Sequence, residues 1–238
     1  MAAARLRRRG DAWPPLRDAA FVAGCLLLGA AGPVQWPGGH FTAHVAEHLA
    51  AVMAAPLLMA LARPLTLALR ALPPGGRRAL LVPARSRPVG FLTRPPVAAA
   101  LEAGGLWAFY RTGLWAGAAG HPWLHALVHA HMVVTGVLFG VSLLALDPLR
   151  HRPGPVLRGG CLLAASAAHA VLARTLYAAG PPGTAFPAAD LRAGAQLMYY
   201  GGDAVELAAA AVIAAQWYRA KGRRTARAHR RAAAAVPS

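Results

Sequence analysis

"HPWLHALVHAHMVVTGVLFGVSLLA", residues 121–145, decides what kind of molecule this is. From Met132 onward the stretch is apolar and carries no charge, yet its first eleven positions hold four histidines: His121, His125, His129 and His131. The whole chain of 238 residues has only ten. An apolar run of about 20 residues is long enough to cross a bilayer as a helix. The stretch is therefore a candidate membrane span opened by imidazoles.

The rest of the chain agrees. Hydrophobic residues make up 57% and charged residues 14%, against roughly a quarter charged in a soluble domain. Six stretches approach span length, at 17–33, 42–62, 95–117, 124–146, 158–179 and 193–218. The expectation is an all-α integral membrane bundle of about six transmembrane helices. It divides into a basic N-terminus over 1–16, a polytopic membrane domain over 17–218 and a basic tail over 219–238. The Arg-, Pro- and Gly-rich segment 63–94 reads as a loop with an amphipathic interfacial stretch at 64–72. Pro56 lies inside the second span and predicts a kink. The closing "HRRAAAAVPS" reads as a disordered tail. The first span reads as a retained helix rather than a cleaved signal peptide.

A net charge of +17 raises the question of nucleic acid, and its distribution answers it. Twenty-two of the 25 basic residues fall before the first span, between spans two and three, between four and five, or after the sixth. Only Arg111, Arg174 and Arg192 are left for the opposite side. Such alternation orients a membrane protein with its basic loops in the cytoplasm, so both termini are expected there. Membrane lipid, not nucleic acid, is the expected partner of that charge.

With this topology His40, His44, His48, His121, His125, His129, His131 and His169 belong to the extracytoplasmic half, and only His151 and His229 to the other. His44 and His48 are spaced i, i+4 and share a helix face, as do His125 and His129. His131 points roughly opposite His129, so the four histidines of residues 121–132 cannot share one mononuclear site. Two i, i+4 pairs at matching depth can give four imidazoles to one metal, or two each to two. Imidazole suits copper and zinc, and a thioether such as Met132 or Met53 favours Cu(I). The candidate ligands are His44, His48, His125 and His129, with His121, His131, Met132, His169 and Asp203 as further candidates.

Plainer readings stand beside this one. Intramembrane histidines often hydrogen-bond between helices. Asp203 and Glu206, costly at their depth in span six, can pair with Arg174 or Arg111. His48 and His129 could instead be axial ligands of haem b, or the chain could be a metal-free scaffold. Cys25 and Cys161 lie at different depths and in no CxxC pair, so both read as core packing residues. The Ala- and Gly-rich spans three, five and six are expected inside the bundle. Trp36, Trp107, Trp115 and Trp123 read as an interfacial belt.

Two blocks resemble the CtaG-type assembly factors of caa-type cytochrome c oxidases. "HVAEHLAAVMAAPLLMALARP" matches that family's H-x3-H, apolar run and P-L-L through His44, His48, Pro56, Leu57 and Leu58. "HPWLHALVHAHMVVTGVLFG" is similar to its later block through His125, His129, Gly136, Leu138 and Phe139. "LYAAGPPG" and the Gly pair of "QLMYYGGDA" fit more loosely, and the likeness covers about 40–218. The third span departs from the family, reading "LWAFYRTG" where W-H-x-P is usual. The last span keeps the Gly pair but displaces its acid to Asp203. The resemblance implies a multipass protein of the bacterial plasma membrane that helps assemble haem–copper oxidase. It implies transient Cu(I) binding at His44, His48, His125 and His129, then transfer to an oxidase subunit. No covalent chemistry is required, so the chain reads as a binding protein rather than an enzyme.

Overall fold

The computed structural model describes residues 2–31, 34–150 and 152–234, and every regular element among them is helical. His151 and the side chain of His229 lie outside that description. In chain order the helices are α1 Ala2–Arg8, α2 Pro15–Ala30, α3 His40–His48, a π-helical turn Leu49–Ala54, α4 Ala55–Ala62, α5 Pro64–Ala71, α6 Pro74–Ala84 and α7 Arg87–Leu92. There follow α8 Pro95–Arg111, α9 Leu114–Gly120, α10 Pro122–Leu144, α11 Pro155–Ala178 and α12 Ala188–Ala234.

Proline punctuates this layout. It stands in the first or second position of α2, α5, α6, α7, α8, α10 and α11, where its missing N–H costs nothing and its fixed φ suits the first turn. For that reason segment 63–94 is three short helices instead of a loop. The stretch expected to be amphipathic is the first of them, α5. The anticipated span 95–117 breaks where Thr112 turns extended, separating α8 from α9.

Four helical stretches are long and apolar enough to cross a bilayer: His40–Ala71, Pro122–Leu144, Pro155–Ala178 and Ala188–Arg223. The first and third anticipated spans are represented by shorter helices, α2 with 16 residues and α8 with 17. The protein is an all-α membrane bundle. Its last helix continues past 218 to Ala234, so "HRRAAA", residues 229–234, is helical backbone.

At Pro56 the helix is disturbed through a specific device, a π turn. A proline leaves the carbonyl four residues back without its usual donor and crowds it. The helix relaxes into the π turn, in which the Ala55 amide reaches the Ala50 carbonyl. The freed Val52 carbonyl rests on Gly136 of α10, where a β-carbon would overlap it. The glycine that spaces the second histidine block thus seats the distorted helix of the first.

Phe41, Val45, Leu106, Tyr110, Trp115, Leu172 and Met198 form the larger core, joining α3, α8, α9, α11 and α12. Leu143, Cys161, Leu162, Ala209 and Ile213 form a second core further along the bundle. Two expectations change here. Cys161 is buried, but Cys25 is exposed. Helix α8 is interior as expected, whereas α11 and α12 lie on the perimeter and expose Leu163, Val171, Tyr200, Leu207 and Trp217. Small residues let these two helices approach each other and let α12 approach α3, while their opposite faces look outward.

Polar ties lock the ends. The Asp190 carboxylate accepts from the Phe41 and Thr42 amides at 2.9 and 3.0 Å and from the Thr42 hydroxyl, capping α3 from the start of α12. Gly39 leaves room for it, since a β-carbon there would meet the carboxylate. Asp147 caps α5 in the same manner through the Leu65 and Thr66 amides. Arg158 donates to the Leu143 and Leu144 carbonyls and to Gln216, closing the end of α10.

Candidate functional site

The Asp190 cap fixes where α3 begins, and with it the direction of two imidazoles. His44 lies edge-on to Trp115, with ring centroids 4.3 Å apart, and within 6.1 Å of Tyr110. His48, one turn on, is buried and stands perpendicular to Tyr110 at 6.4 Å. Across from them on α10, His125 and His129 lie parallel, centroids 6.3 Å apart. The i, i+4 spacing therefore does what the sequence asked of it on both helices. His129 Nε2 is 3.6 Å from the Glu47 carboxylate on α3, which ties one pair to the other.

The two pairs share one neighbourhood. His44 is close enough to interact electrostatically with His125 and His129, and His48 with His129 and His169. His169 of α11 is buried, with Nδ1 3.5 Å from the Glu206 carboxylate on α12. Gly202 faces its ring, leaving the room that a side chain would deny. Among the described residues, no three His, Cys, Asp or Glu side chains already converge as a metal-holding group.

The further candidates separate. His121 turns back to the Gly117 carbonyl at 3.1 Å and lies beside Trp123, on the exposed rim. His131 points at Gly105 of α8, away from His129 as its spacing required. Met132 is buried in the larger core. Asp203 lies near His169 and has no ion-pair partner among the described residues. The expected pairing of Asp203 or Glu206 with an arginine is replaced. Glu206 meets His169, while Arg111 donates to the Ala179 carbonyl and Arg174 lines a cleft with Tyr177 and Tyr199.

Three contributors escaped the sequence reading. Tyr110 is fully buried between the histidines of α3 and the core, so the third span brings a phenol to the cluster. Trp115 does not serve an interfacial belt. It is buried against His44, and Trp107 donates its indole N–H to the Ala168 carbonyl. Asp190 stands 148 residues from the helix it caps. Hydrophobic periodicity can announce none of these, because each depends on which helices become neighbours.

The arrangement has an unusual polar content. His48 Nδ1 and Nε2, His129 Nε2, His169 Nε2 and the Tyr110 hydroxyl are all buried without a hydrogen-bond partner. Buried polar atoms are nearly always satisfied, and an unsatisfied group costs about 1–3 kcal/mol. Four of these five atoms are imidazole nitrogens. Neutral imidazole offers a lone pair to a soft or borderline cation, and the adjacent Glu47 and Glu206 carboxylates are placed to orient rings in the way second-sphere acids do. The donor set therefore fits a thiophilic or borderline metal better than Mg2+ or Ca2+, which favour oxygen.

Comparison with known proteins places the chain in a family. Residues 1–220 match the cytochrome c oxidase caa3 assembly factor family, Caa3_CtaG, and the chain belongs to it. An uncharacterized protein of Mycobacterium bovis is 34% identical over 180 residues, covering 70% of this chain and 27% of that protein. An uncharacterized protein of Mycobacterium leprae is 32% identical over 176 residues, with the same coverage. The chain thus spans about a quarter of the length of the curated relatives it matches. No solved structure matches it.

Proposed function

We propose that this member of the caa3 assembly-factor family binds Cu(I) transiently and passes it to a cytochrome c oxidase subunit during formation of a copper centre. His44, His48, His125 and His129 are the residues that would hold the ion. The observation that carries this reading is the set of unpartnered imidazole nitrogens gathered where α3, α10 and α11 meet. Occupation by a metal would take up the lone-pair nitrogen of each imidazole it meets.

Each neighbour has a part. Glu47 orients His129, and Trp115 and Tyr110 limit the rotation of His44 and His48. His169 and Asp203 flank the inner edge of the cluster, while His121 and His131 are engaged elsewhere. His125 is exposed, so the outermost imidazole is within reach of a docking partner. A ligand set with one accessible member suits release by ligand exchange, in which an acceptor's donor replaces His125 first. The distribution of arginines supports a plasma-membrane protein with this cluster on the extracytoplasmic side.

The test is anaerobic Cu(I) titration of the purified protein against a chromophoric competitor, with an absorption spectrum taken in parallel. Stoichiometric binding, lost when His44, His48, His125 and His129 are replaced by alanine, is the expected result. A Soret band that disappears in the same variant would replace copper by haem b. Failure of both groups to bind a folded protein would leave the histidines with a structural role.

A further inference from the structure

We propose that the cleft between α11 and α12 receives a transmembrane helix of a partner protein, with a basic side chain of that helix placed against Asp203 and Glu206. The proposal rests on the assembly reading for the nature of the partner, an oxidase membrane subunit, and on the cleft itself for everything else.

The cleft has a volume of about 660 Å3 and runs from Pro155 to Ser166 on α11 and from Asp203 to Trp217 on α12. Its α12 wall repeats every three or four residues, the signature of one helix face. At 1.5 Å per residue that wall is about 21 Å long, and Asp203 lies about 22 Å into the helix from Ala188. The carboxylates are therefore near mid-membrane and Trp217 is near an interface. Leu163 is 72% and Leu207 69% exposed along the cleft edges, so nothing else among the described residues covers it. Gly159, Ala210 and Ala214 line it, and small residues are what allow a second backbone to come close in lipid.

The polar end selects the occupant. Asp203 has no ion-pair partner among the described residues, and Glu206 has only His169. A carboxylate in hydrocarbon is expensive unless it meets a cation or a cavity. A phospholipid cannot supply the cation. Its headgroup stays at the interface beside Trp217, so its methyl end would lie against the acids. A transmembrane helix crosses the whole depth and can place a Lys or Arg at mid-span, with apolar residues along the remaining 16 Å or so of the groove. Charge complementarity at that depth is strong because little water screens it.

The experiment uses the full chain in phosphatidylcholine vesicles, with a benzophenone amino acid at Leu207. Synthetic poly-Leu/Ala transmembrane peptides are added that carry Lys, Leu or Glu at their central position. The expected result is cross-linking of the Lys peptide about tenfold above the other two, the weight of one interhelical polar contact in lipid. That preference should vanish in the paired variant Asp203→Asn, Glu206→Gln. It should also vanish in Ala210→Trp, which blocks the groove and keeps both acids. A benzophenone at Val134, exposed on α10, should show no preference. Equal labelling by the Lys and Leu peptides would overturn the proposal, and so would lipid adducts at Leu207 that persist undiminished by the Lys peptide. The readout involves neither copper nor oxidase, so it can fail while the copper reading stands, or succeed while that reading falls.

Discussion

Gly202 lies against the imidazole of His169 so closely that a β-carbon at this position would collide with the ring. Its neighbour Gly201 is pressed in the same way by Leu49 of the π turn. The Gly pair of the last span is therefore an imprint of the π turn and α11 on α12, and it sets how near Glu206 comes to His169.

Gly202→Ala should displace His169 and destabilise the protein by about 1–3 kcal/mol, as overpacking of a tight contact does. Gly222→Ala on the same helix, where a β-carbon meets nothing within 4 Å, should be neutral or stabilising by up to about 1 kcal/mol. Thermal unfolding in detergent separates the two. Equal melting temperatures would show that α12 yields easily at Gly202.

Asp190→Ala removes the cap of α3 and should cost about 1–2 kcal/mol, with Asp190→Asn intermediate. Hydrogen–deuterium exchange should locate the loss at residues 40–48 and spare α10. Uniformly faster exchange would mean that Asp190 supports the whole bundle and not one helix end.

Glu47→Gln keeps the size of the side chain and removes its charge from His129. If the histidine cluster holds Cu(I), affinity should fall about 10- to 100-fold, the usual weight of an outer-sphere acid. The stoichiometry should stay unchanged. Competition titration measures both, and unaltered affinity would remove Glu47 from the site.

Arg158→Met exchanges a buried guanidinium for an apolar chain, leaving the Leu144 carbonyl to Gln216 and the Leu143 carbonyl without its side-chain donor. A loss of about 1–3 kcal/mol is expected from the unmet acceptor. Gln216→Leu should cost less, because Arg158 still serves both carbonyls. A larger effect for Gln216→Leu would reverse the assignment.

Much of this was legible in the chain. The i, i+4 histidines, the opposed direction of His131 and the disruption at Pro56 are local matters, governed by helix geometry within a few residues. The helical nature of 63–94 was not legible, since Pro, Gly and Arg read as breakers until each proline is placed at the start of a helix. The candidate site was half visible. Its imidazoles follow from spacing, but Tyr110, Trp115, Asp190 and the choice of His169 over an arginine for Glu206 are set by contacts between distant segments. The perimeter position of α12 was concealed because small residues serve a single packed face as well as a buried helix.

The π turn at Leu49–Ala54 acts as a phase slip. One added residue turns everything after it by about 100° relative to an unbroken helix, so the histidine-bearing half and the Pro56-bearing half of this stretch keep separate angular registers. The seat of Val52 on Gly136 fixes the second register without constraining the first. Substitutions before Leu49 can then redirect His44 and His48 while the contact with α10 stays put, and loss of a single residue within the turn would swing both imidazoles away from α10 with the composition nearly unchanged.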